Sequence, residues 1–182
     1  LKKLIILLAV IFLNANPYVG KFKKLTLQQQ LFLYNVYKKS RNTRFKWTLV
    51  AIAWKESSAG IAMVNVFDGG KHNASCGPYH NLISSVFDRH PEWVPSRFNK
   101  NKICTRLILD LDFATKESIA ELSYWYKVRK GNWFKIWASY NGGSRYGKRA
   151  KRYAYDIYLR IKALKYIIGN YWDNRFVKLP KH

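Results

Sequence analysis

The chain has 182 residues, the length of one domain with a substantial core of its own. Against 10 Asp and Glu stand 33 Lys and Arg, a formal net charge of +23 spread along the sequence rather than held in one tail. That field draws polyanions: nucleic acid, anionic lipid or an acidic cell-wall polymer. The 2 cysteines and 4 scattered His fall into no ligand spacing, which excludes a recognisable metal site.

Lys2-Lys3 opens the chain, followed by an apolar run over 4–13 and then Asn14-Ala15-Asn16-Pro17. This is the n-region and h-region of a secretory signal, too short to span a bilayer comfortably. Residues 1–15 are therefore expected to be a signal peptide cleaved after Ala15, or else an uncleaved anchor. No cysteine follows the run, so a lipoprotein anchor is excluded there. Export puts the mature chain in the periplasm or otherwise outside the cytoplasm. In an oxidising compartment Cys76 and Cys104 are expected to pair. Closing a loop of about thirty residues contributes about 3.5 kcal/mol in the chain-entropy account. Without oxidation they are two small buried thiols.

The spacing predicts a first helix over 26–39, with Leu27, Leu31, Tyr34 and Val36 inward. With a basic link over 40–44 it makes an N-terminal segment, 16–44. Next comes a helix in which Trp47, Val50, Ala51 and Trp54 form an apolar stripe. Its end carries Glu56, which projects with Leu49, Ile52 and Ala53. Ala59-Gly60 reads as the stop, with Gly where a positive φ is wanted. Desolvation and the negative end of the helix dipole both disfavour an ionised carboxylate at that place. A general acid needs that bias. The plainer alternative is that Glu56 reaches water or an Arg at the helix end.

Residues 61–75 read as a loop or small hairpin around the turn Asp68-Gly69-Gly70. Gly77-Pro78-Tyr79-His80 follows directly on Cys76. A short helix is expected over 81–88. Pro91 and Pro95 then predict an irregular segment over 89–102. Asp112 is a candidate N-cap for a helix with Ser118, Ile119, Leu122, Trp125 and Tyr126, ending at Gly131. Trp133, Phe134, Ile136, Trp137 and Ala138 predict a short buried helix, closed by a tight turn over 139–143. The clearest amphipathic pattern is Ala150, Tyr153, Ala154, Ile157, Tyr158, Ile161 and Leu164. Residues 169–182 read as a basic aromatic tail. The 7 Trp, 13 Tyr and 10 Phe call for an aromatic core, an aromatic-lined groove, or both.

Four pieces stand in order: Glu56-Ser57-Ser58-x-Gly60 at a helix end, Gly77-Pro78-Tyr79-His80, Ala138-Ser139-Tyr140-Asn141-Gly142-Gly143, and Tyr153-Ala154. This ordered set resembles the lytic transglycosylase family, whose lysozyme-like domain cleaves the glycan strands of peptidoglycan. The resemblance covers about 45–165. It implies a mostly α, lysozyme-like domain over 45–168 with a substrate groove and a small β-hairpin. It implies Glu56 as the single catalytic acid and Ser57 as the serine that helps set the helix end. Gly77 begins the groove-lining segment that carries Tyr79 and His80. Tyr140 and Asn141 match the pair that supports the acid and contacts sugar. Tyr153 matches the tyrosine beside the catalytic carboxylate. The family usually has Gln where this chain has His80, whose charge near pH 6 would alter the pH optimum.

The chemistry implied uses one carboxylate and no protein nucleophile. Glu56 protonates the glycosidic oxygen, then takes the proton of the C6 hydroxyl, and that oxygen closes on C1 to leave a 1,6-anhydro-muramyl end. No cofactor or metal is called for. The partner implied is the glycan strand, met by a monomer in wall turnover, in a secretion or conjugation apparatus, or in phage lysis. A hydrolysing muramidase needs a second carboxylate, for which Glu121 and Asp68 are the candidates. Glu117 and Glu121, one turn apart, otherwise read as a solvated pair. The aromatics between Trp125 and Tyr140 read as core before sugar platforms. The basic run 145–152 reads as a solvated face that suits an anionic wall. A nucleic-acid-binding protein is the reading of another class, but no zinc-finger, RNP-like or helix-turn-helix pattern stands out. A wall-binding protein without catalysis is the third, opposed by Glu56 itself.

Overall fold

A computed structural model of the protein describes residues 16–66 and 74–175, with side chains as far as 168. The expected signal at 1–15, Asp68 and the end of the tail at 176–182 lie outside the described residues. Among those described, the chain is mostly helical, with eight helices and one small antiparallel sheet. The helices are α1 (Pro17–Lys23), α2 (Leu27–Ser40), α3 (Lys46–Glu56), α4 (Ile83–Arg89), α5 (Arg97–Leu109), α6 (Leu111–Val128), α7 (Trp133–Gly142) and α8 (Lys148–Arg175). The strands are β1 (Val64–Asn65), β2 (Ser75–Cys76) and β3 (Asn81–Leu82), in that spatial order.

α3 is the axis of the fold. Every residue from Thr48 to Trp54 is buried, so the helix is apolar all round and not striped on one face. It packs between α2 and α8, while α7 lies along α8 and α6 against α7. Each large side chain buried this way contributes about 1.5–3 kcal/mol. One hydrophobic cluster runs from Tyr18 to Ile168, so α1 and α2 share the core of the helices that follow. Tyr18 and Phe22 of α1 meet the Trp54 ring edge-on at 5.6 and 5.5 Å.

α3 ends before the expected Ala59-Gly60 stop, although Gly60 has the positive φ expected of it. The helix closes at Glu56 because the Ser57 hydroxyl donates back to the Ala53 carbonyl at 2.8 Å and accepts from the Gly60 amide at 3.0 Å. Ser58, Ala59 and Gly60 are then all left-handed, with φ of 50°, 59° and 92°. For the two residues with a Cβ this costs about 1 kcal/mol or more each. At Gly60 a Cβ would also lie 2.8 Å from the Phe32 ring.

The loop region holds three strands rather than a single hairpin. Val64 pairs with Cys76 and Asn65 with Ser75; Ser75 pairs in turn with Leu82 and Cys76 with Asn81. The Gly77–His80 turn joins β2 to β3, and Cys76 is bonded to Cys104 of α5 with Cα atoms 5.3 Å apart.

Other boundaries move for local reasons. α5 begins inside the segment expected to be irregular, because Ser96 caps it one residue after Pro95, accepting from the Asn99 amide at 3.1 Å. Asp110, not Asp112, caps α6, accepting from the Phe113 amide at 2.9 Å. Asp112 instead pairs with Lys39 at 2.7 Å. α7 continues to Gly142, so Tyr140 and Asn141 sit on its last turn and not in a loop. α8 extends to Arg175, through half of the supposed tail. Leu27 and Tyr158, expected inward, are exposed; Leu33 takes the buried place on α2.

Candidate active site

α3 delivers Glu56 to the wall of an open cleft of about 920 Å³. The cleft is bounded by the Tyr79–Leu82 stretch on one side and by Ser139–Ser144 with the start of α8 on another. Leu49, Ile52 and Ala53 behind Glu56 are completely buried. The side chain of Glu56 is itself 20% exposed, so it is neither sealed in the core nor facing bulk water.

His80 is the nearest polar side chain to it in the Gly77–His80 turn. Its Nδ1 lies 3.4 Å from Glu56 Oε2, and its Nε2 lies 2.9 Å from the Ala62 carbonyl oxygen. The turn that aims it is forced. Gly77 has φ of 81°, and a Cβ there would lie 2.4 Å from the Leu107 carbonyl oxygen. The Gly77 amide donates to Met63 O at 2.8 Å. His80 itself is left-handed, with φ of 48°. The bond from Cys76 to Cys104 anchors the residue that precedes the turn.

Tyr140 braces the turn from α7. Its hydroxyl donates to the Tyr79 carbonyl at 3.0 Å and meets Ser118 Oγ at 3.5 Å. Ser118 donates in turn to Asn81 Oδ1 at 2.9 Å. Burial pushes the Tyr140 phenol up, with the Glu56 charge adding to the shift. Asn141, next on the helix, is exposed on the cleft wall.

Tyr153 comes from α8. Its ring is buried, and its hydroxyl lies in the field of Glu56. Burial first, and Glu56 second, push its phenol well up. The hydroxyl is sealed from solvent and has no partner at full hydrogen-bond geometry, although Glu56 is the acceptor it faces. Behind it, Asp156 takes Lys55 at 2.8 Å and Arg160 at 3.1 Å. Burial lowers both cations; Arg160 opposes Lys55 further, and Asp156 supports Arg160.

The expected residues therefore divide into two sets. Glu56, His80, Tyr140 and Asn141 share the cleft, with Tyr153 beside Glu56 from behind. Ser57 and Gly77 are fully buried and off the cleft wall; they shape backbone and do not offer a surface to a ligand. The Tyr79 side chain is also wholly buried, with its hydroxyl 2.8 Å from Thr115 Oγ1, so only its backbone can face the cleft. Burial pushes that phenol up as well.

Glu117 and Glu121 are not a solvated pair. Arg89 donates to Glu117 Oε2 at 2.9 Å and to Glu121 Oε2 at 2.7 Å. His90 Nε2 holds Glu117 Oε1 at 2.8 Å, and Trp125 Nε1 donates to Glu121 Oε1 at 2.6 Å. Glu121 lines the cleft, but each of its oxygens is already engaged. Trp137 is core, its Nε1 donating to Thr48 Oγ1 at 3.1 Å, and the half-buried Trp133 packs against it. Arg145, Lys148 and Arg149 form a cationic rim. Arg129, which sequence reasoning passed over, holds Ser139 Oγ at 2.8 Å and the Ser144 carbonyl at 3.2 Å, fixing that wall. Neither Arg89 nor Arg129 carries a local signal, since their partners lie on other elements. Among the described residues no group of three His, Cys, Asp or Glu side chains could hold a metal ion.

No protein-family model, curated protein or solved structure matches the chain.

Proposed function

We propose that the protein is a peptidoglycan lytic transglycosylase on a lysozyme-like fold. Its substrate is the β-1,4 bond between N-acetylmuramic acid and N-acetylglucosamine. The observation that supports this most is convergence. Glu56, His80 and Tyr140-Asn141 lie far apart in sequence, yet they line one cleft around one carboxylate, with the buried Tyr153 hydroxyl in the field of Glu56 behind it.

Glu56 as the acid gives its proton to the glycosidic oxygen as the C1–O bond breaks. As carboxylate it then accepts the C6 hydroxyl proton, while the C6 oxygen bonds to C1. The proton count of the side chain is restored, and the product carries a 1,6-anhydro end. Intramolecular attack has a large proximity advantage and needs no second carboxylate. The cationic rim of Arg145, Lys148 and Arg149 suits an anionic wall, with binding that weakens as salt rises.

A hydrolysing muramidase remains the second reading because Glu121 also lines the cleft. Its prior engagement with Arg89 and Trp125 counts against it as a base. Masses of the digestion products separate the two, since hydrolysis leaves reducing ends. Action outside the cytoplasm follows from the same proposal, because the substrate is there. The surrounding process is wall turnover, secretion or conjugation assembly, or phage lysis.

A further inference from the structure

Donor and acceptor rules constrain the contact between His80 and Glu56. The Ala62 carbonyl can only accept, so the 2.9 Å contact requires Nε2 to carry a hydrogen. In a neutral imidazole Nδ1 is then a lone pair. That nitrogen lies 3.4 Å from Glu56 Oε2. Against an ionised carboxylate the contact would be acceptor to acceptor. It becomes attractive when one proton lies between the two groups, on Nδ1 of an imidazolium or on the carboxyl of a neutral Glu56.

We infer that His80 and Glu56 hold one proton jointly, and that His80 is the positioning residue that keeps the Glu56 carboxyl supplied and aimed at the cleft. The inference rests on the function proposed above. The proton leaves Nδ1 for Glu56, and the imidazole stays fixed by its Nε2–H bond to Ala62. Glu56 delivers it to the glycosidic oxygen. The C6 hydroxyl returns one proton to the carboxylate, so the pair ends as it began. The backbone is committed to this placement, because His80 is held left-handed in a turn anchored by a disulfide.

Other charged and titratable groups face the pair from each packed element. Lys55 precedes Glu56 on α3, and Arg160 lies on α8; both are tied to Asp156. Tyr140 on α7 and Tyr153 on α8 feel Glu56, and Glu121 acts on Tyr140. The two phenols, pushed up by burial, stay neutral where an imidazole titrates. Two interacting groups that share a proton titrate as a pair, in macroscopic steps that belong to neither alone.

The test combines imidazole NMR with pH profiles of sacculus digestion by the 182-residue chain. His80 is assigned by the resonance lost in His80→Asn, a residue that tolerates a positive φ. The expected result is that the His80 titration moves to lower pH in Glu56→Gln, with Nε2–H as the neutral tautomer. In His80→Asn and His80→Gln the maximum falls and the alkaline limb of the activity profile moves to lower pH relative to the acid limb, so the profile narrows. An unmoved His80 titration in Glu56→Gln overturns the inference. So does a His80→Asn profile that is merely scaled down without a change of shape. Either result leaves the proposed function standing if Glu56→Gln is inactive. A wild-type protein that cuts no sacculi overturns that function and the catalytic part of this inference; the NMR titration then decides the shared proton alone.

Discussion

The Tyr140 hydroxyl donates to the Tyr79 carbonyl oxygen at 3.0 Å, tying the last turn of α7 to the turn that carries His80. The two residues stand far apart in sequence, yet this bond sets the distance between two walls of the cleft. Tyr140→Phe removes it and strands a buried carbonyl, at a cost of about 1–3 kcal/mol. The loosened turn should lower sacculus digestion about tenfold or more, since small misplacements at a reacting centre are expensive. Thermal melts and turbidity rates check both. Unchanged digestion would show that the brace does not hold the cleft.

Tyr153→Phe should behave differently. Its hydroxyl is buried without a well-formed partner, so removal should leave stability unchanged or raise it by about 1 kcal/mol. Activity should still fall about tenfold or more, because the hydroxyl beside Glu56 is lost. A destabilised protein with full activity would contradict this division of roles.

The Cys76–Cys104 bond spans a sequence separation of 28, which corresponds to about 3.5 kcal/mol of loop-closure stabilisation. The paired change of both cysteines to serine should lower the melting temperature by an amount consistent with that figure. It should also slow digestion, because Cys76 adjoins the Gly77–His80 turn. A melt unchanged by both substitutions would count against the estimate.

Stability should decline at alkaline pH. Tyr79, Tyr140 and Tyr153 are all pushed up from the ordinary value of 10.0 by burial. A phenol raised in the folded state favours folding below about pH 10 no more than at neutrality. Above that pH the unfolded chain releases the proton first, so stability is lost progressively. Melting temperatures should therefore fall from about pH 10 upward. Tyrosinate absorbance should show these three rings ionising only as the chain unfolds. Free ionisation of all tyrosines in the folded protein would refute it.

Much of the helical order was legible. α8 follows from its apolar spacing at every named position but Tyr158, and α3 was legible as an apolar run although it is buried all round and not along the expected stripe. What failed was decided by single side chains or distant partners. α5 buries only Ile103 and Leu107, too few to show a period, and its Ser96 cap follows directly on Pro95, a residue that itself reads as a helix breaker. Asp110 and Asp112 are equally good caps in sequence; in the structure Asp110 caps the helix and Asp112, in its first turn, pairs with Lys39. α1 was unread because its stability comes from Trp54 and α8, beyond any local window. Of the residues that motif order singled out, Glu56, His80, Tyr140 and Asn141 line one cleft and Tyr153 stands beside Glu56. Ser57 sets the helix end as expected, whereas Gly77, expected to begin a groove-lining segment, is buried off the cleft wall and shapes the turn. The Arg89 clamp on Glu121 and the Arg129 staple cross between elements, and no spacing rule announces them.

The most direct test is digestion of purified sacculi by the wild type and by Glu56→Gln, with product masses. The account predicts 1,6-anhydro-muramyl ends from the wild type and a loss of about a hundred- to ten-thousand-fold in the folded variant. Reducing ends, or strand cutting undiminished after the substitution, would contradict it.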